Sequence, residues 1–242
     1  VNKFGESGIS LIHGFTVAQN SNFYKDPSGS LVTTDTSGNV VMVSGDGLVQ
    51  IIPLNAAGSD HGFVYSDADN DGDLDVFGLG YQRIGWYRNL GQGVFSSQLV
   101  IDSVGNTNMT AIDFGDLDGD GDLDISVTTS YGLYYYFNTD GQGTFGVKQI
   151  IIDYPFGCAS LKIADFDNDG DMDIVVGSNG GVGHKFFRNE LDKTNSVEEA
   201  FTNITVGSGL DIDNSTNRDY IAYDFDNNGF IDILGGGNKI LF

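Results

Sequence analysis

Basic residues and cysteine are scarce in this chain of 242 residues. Eleven lysines and arginines face 34 aspartates and glutamates, which gives a formal net charge of −23 at pH 7. A nucleic-acid-binding surface needs a basic patch to neutralise phosphates, so the composition argues against nucleic acid and, by the same charge, against anionic membranes. The single cysteine, Cys158, cannot form an internal disulfide, and we expect it to be a small buried apolar residue.

Long apolar runs are also missing, and proline is rare. No stretch has the roughly 20 consecutive apolar residues of a membrane-spanning helix, so we expect no membrane insertion. Three prolines accompany 35 glycines, which suits a chain with many tight turns. With 40% hydrophobic residues, the chain can bury a sizeable core, and we treat residues 1–242 as a single domain.

Aspartate is abundant, and it is concentrated in four short segments that share the pattern D-x-D-x-(D/N)-G-x-x-D. We call them loop B (67–75), loop C (116–124), loop D (165–173) and loop E (224–232). Their starts are 49, 49 and 59 residues apart, and 18 of the 34 acidic residues lie within them. Four matches in so regular a register predict a repeat architecture.

Carboxylates this close repel each other, so we expect a cation among them. Ca²⁺ accepts 6–8 oxygen ligands in flexible geometry, whereas Mg²⁺ requires a stricter octahedron and keeps its waters. The loops are not EF-hands, because position 12 is Gly78, Val127, Val176 or Gly235 instead of a bidentate glutamate. The apolar, β-branched sequences on both sides of each loop indicate short strands.

The loop pattern predicts about four structural Ca²⁺ ions, one in each loop. Positions 1, 3, 5 and 9 would donate side-chain oxygens, position 7 a backbone carbonyl, and the glycine at position 6 would adopt positive φ. The predicted ligands are Asp67, Asp69, Asp71, Asp73, Asp75, Asp116, Asp118, Asp120, Asp122, Asp124, Asp165, Asp167, Asp169, Asp171, Asp173, Asp224, Asp226, Asn228, Phe230 and Asp232.

A second phrase follows loops B, C and D: an aromatic strand that ends in asparagine. Asn89, Asn138 and Asn189 come 14, 14 and 16 residues after the last aspartate of each loop. We predict that this strand is the third of four in its repeat and that its aromatic residues, Trp86 among them, pack in the core. A degenerate repeat precedes loop B, with Asn55 in the equivalent place and few acidic residues, so we expect no calcium there.

The four loops resemble the FG-GAP/VCBS repeats of integrin α-subunit propellers, bacterial secreted proteins and fungal lectins. The resemblance implies a β-propeller in which one calcium lies between the first and second strands of each blade. Counting the degenerate repeat, the fold class is all-β with five four-stranded blades. The last repeat stops after its third strand, and we expect residues 8–14 to supply its fourth. A fragment of a longer repeat array is the alternative.

The loops opposite the calcium face, and the connections between blades, carry aromatic and polar residues suited to sugars. The candidate ligand-binding residues are Tyr81, Arg83, Tyr131, Tyr154, Phe156 and His184. We expect a non-catalytic module that binds a glycan or polysaccharide, secreted or on a cell surface, where calcium is plentiful. No catalytic sequence motif is present.

Two alternatives remain open at this point. The first is a polysaccharide lyase or hydrolase on the propeller scaffold, with Tyr81 or Tyr131 as acid/base, His184 as base and Arg83 neutralising a uronate. The second is an adhesion module that binds a cell-surface protein, as integrin heads do.

Overall fold

The computed structural model describes residues 11–12, 15–16, 24–25, 31–34, 40–43, 49–52, 63–91, 94–153, 157–178, 183–191, 200–208, 210, 220–235 and 239–241. Within these ranges the chain forms strands β1 to β19 and no α-helix. The strands assemble into antiparallel sheets that follow one another along the chain. The all-β prediction is therefore confirmed.

The degenerate repeat forms a four-stranded antiparallel sheet in the order β3-β4-β5-β6, which we call blade A. Its strands are β3 (Tyr24–Lys25), β4 (Leu31–Thr34), β5 (Val40–Val43) and β6 (Val49–Ile52). Because Asn55 follows the predicted third strand of this repeat, β4, β5 and β6 are its first three strands and β3 precedes them. The predicted fourth strand, after Asn55, lies outside the described residues.

The next two repeats merge into one six-stranded sheet in the order β12-β11-β10-β9-β8-β7. Its strands are β7 (Phe63–Ser66), β8 (Asp75–Tyr87), β9 (Leu99–Gly115), β10 (Asp124–Thr129), β11 (Gly132–Tyr136) and β12 (Gln149–Asp153). Two of these strands are unusually long, with 13 residues in β8 and 17 in β9.

The long strand β8 contains both the second and the third strand of its repeat. The rings of Phe77 and Trp86 stack at a centroid distance of 5.9 Å, whereas nine residues of extended chain would separate them by roughly 30 Å. The chain therefore reverses direction between these residues. With this reversal, β7, the two arms of β8 and the first part of β9 make four strands, which we call blade B.

The long strand β9 belongs to two blades. Its first part, up to Asn108, pairs with β8, and its second part, from Met109, pairs with β10. The second part of β9 and β10, β11 and β12 form blade C. Register shifts interrupt the pairing of β9 with both partners near the point where it passes from blade B to blade C.

Blade D is a four-stranded sheet in the order β13-β14-β15-β16, and blade E is three-stranded in the order β17-β18-β19. Blade D contains β13 (Cys158–Ala164), β14 (Asp173–Ser178), β15 (Lys185–Asn189) and β16 (Phe201–Asn203). Blade E contains β17 (Tyr220–Tyr223), β18 (Asp232–Gly235) and β19 (Lys239–Leu241).

The predicted completion of blade E by residues 8–14 falls mostly outside the described residues. Within that segment, Leu11–Ile12 forms β1, which pairs with β2 (Phe15–Thr16). Closure of the ring by the N-terminal strand therefore stays a prediction.

The hydrophobic core lies between neighbouring blades, as in a propeller. One cluster joins blades B and C and includes Phe77, Ile84, Trp86, Ile125 and Tyr136. A second joins blades C and D and includes Leu133, Tyr135, Leu161, Val176 and Phe187. A third joins blades D and E and includes Val175, Leu210, Tyr220 and Ile233.

Strand β10 explains how one sheet serves two of these clusters. All six of its residues are buried, and successive side chains of a strand point to opposite faces. Ile125 pairs with Tyr136 on the face toward blade B, whereas Ser126 pairs with Tyr135 on the face toward blade D. The predicted core position of the aromatic third strand is confirmed for Trp86 and for Tyr134 to Tyr136.

Candidate functional site

The acidic loops join the first and second strands of blades B to E, and the first aspartate of each loop fixes its turn. In loop B, the carboxylate of Asp67 accepts the N–H groups of Asp71 (3.1 Å) and Gly72 (3.0 Å). Position 6 adopts φ of 92°, 94°, 99° and 92° at Gly72, Gly121, Gly170 and Gly229. The predicted positive φ at this position is confirmed, and glycine adopts it without a Cβ clash.

Position 4 also adopts a left-handed conformation, which our sequence analysis missed. The φ angles are 56°, 76°, 59° and 59° at Asn70, Gly119, Asn168 and Asn227. Asparagine and glycine are the residues that tolerate this region best. In the sequence, position 4 is Asn or Gly in all four loops, which indicated this left-handed conformation.

The last aspartate of each loop is buried and accepts backbone N–H groups. The two oxygens of Asp124 accept from Leu117 (2.8 Å) and from Asn138 (2.8 Å). The closing aspartate of loop D accepts in the same way from Phe166 and Asn189. The repeated asparagine of the third strand thus contacts the closing aspartate of its own repeat.

Burial perturbs these closing aspartates strongly. Loss of solvation raises the pKa of Asp75, Asp124 and Asp173 to about 7 in each case, because the charged carboxylate is disfavoured away from water. A cation beside the carboxylate would offset this penalty.

Each loop brings three carboxylates together, with ligand oxygens within 4.8 Å of one another. The groups are Asp67, Asp69 and Asp71; Asp116, Asp118 and Asp124; Asp165, Asp167 and Asp173; and Asp224, Asp226 and Asp232. These clusters could hold metal ions. Their donors are all oxygens, which are the ligands that Ca²⁺ takes in proteins, so the residues present fit calcium.

The remaining predicted ligands lie outside these groups. At position 5, Asp120 and Asp169 accept the N–H groups of the position 7 residues Asp122 (3.0 Å) and Asp171 (3.1 Å). At position 7 of loop E, the Phe230 side chain is half exposed. All of these ligand assignments stay predictions, including the position 7 carbonyls, position 5 of loops C to E and Asp75 at position 9 of loop B.

An arginine forms an ion pair with loop B. Arg88 forms an ion pair with Asp69, the position 3 carboxylate, whose side chain is fully buried. The equivalent Arg188 of blade D pairs with Glu190 instead. A metal ion in loop B would therefore share the Asp69 carboxylate with a cationic side chain.

The structure separates the predicted ligand-binding residues. Arg83 lies on β8 and is exposed, and Tyr131 is 53% exposed in the turn between β10 and β11. His184 is buried, with its Nδ1 atom accepting the N–H of Ser178 (3.4 Å) and its ring against Tyr220. Tyr81 pairs with Asn108 on the backbone, and its side chain, like Tyr154 and Phe156, lies outside what the structure describes.

An exposed aromatic pair in blade E was not anticipated. Tyr223 is 62% exposed and Phe225 is 41% exposed, and their rings contact each other edge-on at a centroid distance of 5.4 Å. The sequence indicated the exposure of Tyr223, because successive side chains of a strand point to opposite faces. Tyr220 and Ala222 lie on one face of β17, and Tyr223 lies on the other.

Among the described residues, no helix is long and apolar enough to cross a membrane. No curated protein matches the chain. The FG-GAP-like repeat family model matches twice, over residues 67–127 and 116–176. The two matches begin at the first aspartate of loops B and C.

The chain is similar to solved structures at low sequence identity. An Agrocybe aegerita lectin that recognises non-reducing terminal N-acetylglucosamine is 21% identical with a TM-score of 0.55, and the match covers 89% of this chain and 59% of that chain. The Photorhabdus luminescens Tc holotoxin pore is 16% identical with a TM-score of 0.46, over 90% of this chain and 11% of that chain. This chain thus spans 59% of the lectin's length.

The family matches start where the acidic loops start, and the strands around those loops have the predicted blade order. The lectin supplies an independent likeness in fold. Residues 67–176 therefore contain FG-GAP-like repeats, and the chain has a β-propeller fold.

Proposed function

We propose that this protein is an extracellular, calcium-stabilised module that binds carbohydrate without catalysis. The observation that carries the calcium part is that the loops gather three carboxylates each and that three closing aspartates have pKa values of about 7. Uncompensated, such an arrangement is costly. Calcium is abundant outside cells, which supports secretion or surface exposure.

The calcium ligands we propose are the carboxylates at positions 1, 3 and 9, with position 5 and the position 7 carbonyl completing each set. Bound calcium would neutralise the clustered charge and fix the first and second strands of each blade. Because these ligands all come from the protein, we assign the ions a structural role. A metal bound by the folded state alone stabilises that state by mass action.

The carbohydrate part rests on the fold shared with a lectin and on the exposed aromatic side chains. Tyr131 of blade C and Tyr223 of blade E are each more than half exposed. Flat aromatic rings stack on the apolar faces of sugars, while neighbouring polar groups bind hydroxyls. We therefore place the sugar contacts on exposed tyrosines and not on His184, which is buried.

A glycan array tests the proposal. The labelled protein, with calcium and with excess EGTA, is compared with Tyr131→Ala and Tyr223→Ala, each beside its phenylalanine variant. We expect calcium-dependent binding to defined glycans, weaker by about tenfold when the contacting ring is removed and largely kept in the phenylalanine variant, because stacking needs the ring. Absence of any glycan binding would refute the carbohydrate function. Unsaturated products from a uronate polymer would instead identify a lyase.

A further inference from the structure

The closing aspartates of loops C and D accept the backbone N–H of the residue at position 2 of the same loop. The N–H of Leu117 donates to Oδ2 of Asp124 (2.8 Å), and the N–H of Phe166 donates to Oδ2 of Asp173 (3.2 Å). Position 2 lies between ligand positions 1 and 3. The backbone conformation of this residue therefore affects both neighbouring ligands.

The carbonyl of the residue at position 2 accepts a hydrogen bond from the next blade. The side-chain amide of Asn138 in blade C donates to the carbonyl of Ala68 in loop B (2.9 Å), 70 residues away. The amide of Asn189 in blade D donates to the carbonyl of Leu117 in loop C (2.8 Å), 72 residues away. Both asparagines are almost completely buried.

Each of these asparagines also donates its backbone N–H to the closing aspartate of its own blade. Asn138 reaches Oδ1 of Asp124 (2.8 Å), and Asn189 reaches Oδ1 of Asp173 (2.9 Å). The bonds therefore form one continuous chain through loops B, C and D. In order it runs through Ala68, Asn138, Asp124, Leu117, Asn189, Asp173 and Phe166.

We propose that this buried hydrogen-bond chain couples calcium binding in neighbouring loops, and that Asn138 and Asn189 are the positioning residues that transmit the coupling. The inference rests on the proposed calcium function. Calcium in loop C holds Asp124, and Asp124 holds the Asn138 backbone whose side chain orients Ala68 in loop B. Ordering one loop lowers the cost of ordering the next, which is positive cooperativity.

Blade B supplies an internal control. The side-chain amide of Asn89 donates to the carbonyl of Leu74 (3.1 Å), within loop B itself. Asn89 otherwise matches Asn138, since its backbone N–H donates to the closing Asp75 (2.7 Å). Replacing Asn89 removes an equivalent amide without cutting the link between loops B and C.

Terbium luminescence can report on loop B specifically. Trp86 is the single tryptophan, so excitation at its wavelength selects it, and it belongs to the same buried cluster as Ala68 of loop B. Asp67→Ala, which removes a ligand of loop B, identifies the loop B part of the signal. Asp120→Ala disables loop C from an exposed position outside the buried chain.

The experiment measures the terbium midpoint of loop B with and without Asp120→Ala, in the native chain, in Asn138→Ala, in Asn138→Ala/Asn70→Gly and in Asn89→Ala. We expect Asp120→Ala to weaken loop B at least about fivefold in the native chain and in Asn89→Ala. In the double variant Asn138→Ala/Asn70→Gly, the same substitution should leave the loop B midpoint unchanged, because both links between the loops are then cut: the Asn70 side-chain amide also donates directly to Oδ1 of Asp122 in loop C (2.9 Å). If Asn138→Ala only weakened the fold, it would lower the free energy of unfolding. It would not change the ratio of the loop B midpoints measured with and without Asp120→Ala.

Three results would overturn the inference, and they are distinguishable. Absence of terbium binding would refute the calcium function itself. An Asp120→Ala effect on loop B of equal size with and without the Asn138 side chain would show that coupling takes another route. If Asn138→Ala does not fold, the comparison of the native chain with Asp120→Ala still tests the inference. A loop B midpoint that is the same in these two proteins would exclude coupling between loops B and C.

Discussion

Gly143 of blade C lies directly against the indole of Trp86 in blade B. A Cβ atom at Gly143 would be 2.2 Å from Cη2 of Trp86, and the glycine has φ of +81°. The indole cannot move aside easily, because it stacks on Phe77 and contacts Phe145. The turn after the third strand therefore fixes the distance between two blades.

We expect Gly143→Ala to destabilise the protein by about 2–6 kcal/mol, measured by urea unfolding in excess calcium. Positive φ in a non-glycine residue costs about 1–3 kcal/mol, and overpacking adds about 1–3 kcal/mol. Gly207→Ala is the matched control, since Gly207 has φ of +87° and nothing within 4 Å of a Cβ. Equal losses in the two variants would contradict the interblade contact.

Removal of metal should lower the melting temperature. Metal that binds only the folded state stabilises it by about 2.7 kcal/mol for each site at a free concentration 100 times the dissociation constant. We expect a large downward shift of the melting temperature in excess EGTA and full recovery when calcium is restored. A melting curve that is the same in both conditions would refute the loops as calcium sites.

Replacing the closing aspartate of loop C should lower the free energy of unfolding more than replacing an exposed aspartate that accepts the same number of hydrogen bonds. Asp124→Ala would leave the buried N–H groups of Leu117 and Asn138 without an acceptor, at about 1–3 kcal/mol each. Asp140 also accepts two N–H groups, from Gln142 and Thr144, but it is exposed, so water can replace it.

Urea unfolding of Asp124→Ala and Asp140→Ala, each with calcium and with EGTA, checks this ranking. We expect Asp124→Ala to be the less stable variant in both conditions, and the gap to widen with calcium because Asp124 is also a proposed ligand. A smaller loss for Asp124→Ala than for Asp140→Ala would show that burial does not decide the effect.

The repeated pattern explains why the loops and blades could be predicted from the sequence. Local spacing determines the turn: the carboxylate at position 1 and the glycine at position 6 are five residues apart and act on the same few peptide groups. Asn89 lies 14 residues beyond Asp75, and Asn138 lies 14 residues beyond Asp124. Each asparagine donates its backbone N–H to that carboxylate. Such contacts within one repeat recur in each copy.

Contacts between repeats could not be predicted in the same way. His184 follows a glycine-rich segment, which we interpreted as an exposed loop, but its ring packs against Tyr220 of the next blade. Arg88 and Arg188 both precede the repeated asparagine, yet Arg188 pairs with Glu190 where blade B has Leu90. The partner of Arg88, Asp69, is brought near by folding.

Cys158 provides a test of the interface between blades C and D. Its side chain belongs to the cluster that joins these blades, and burial raises the pKa of the thiol to about 12. The thiolate is the reactive species, so a thiol reagent at pH 8 should not label the folded protein with calcium. In concentrated urea the single cysteine should react stoichiometrically, and EGTA should accelerate labelling of the folded protein because loss of calcium favours opening. Rapid labelling in calcium would show that blades C and D do not pack over this residue.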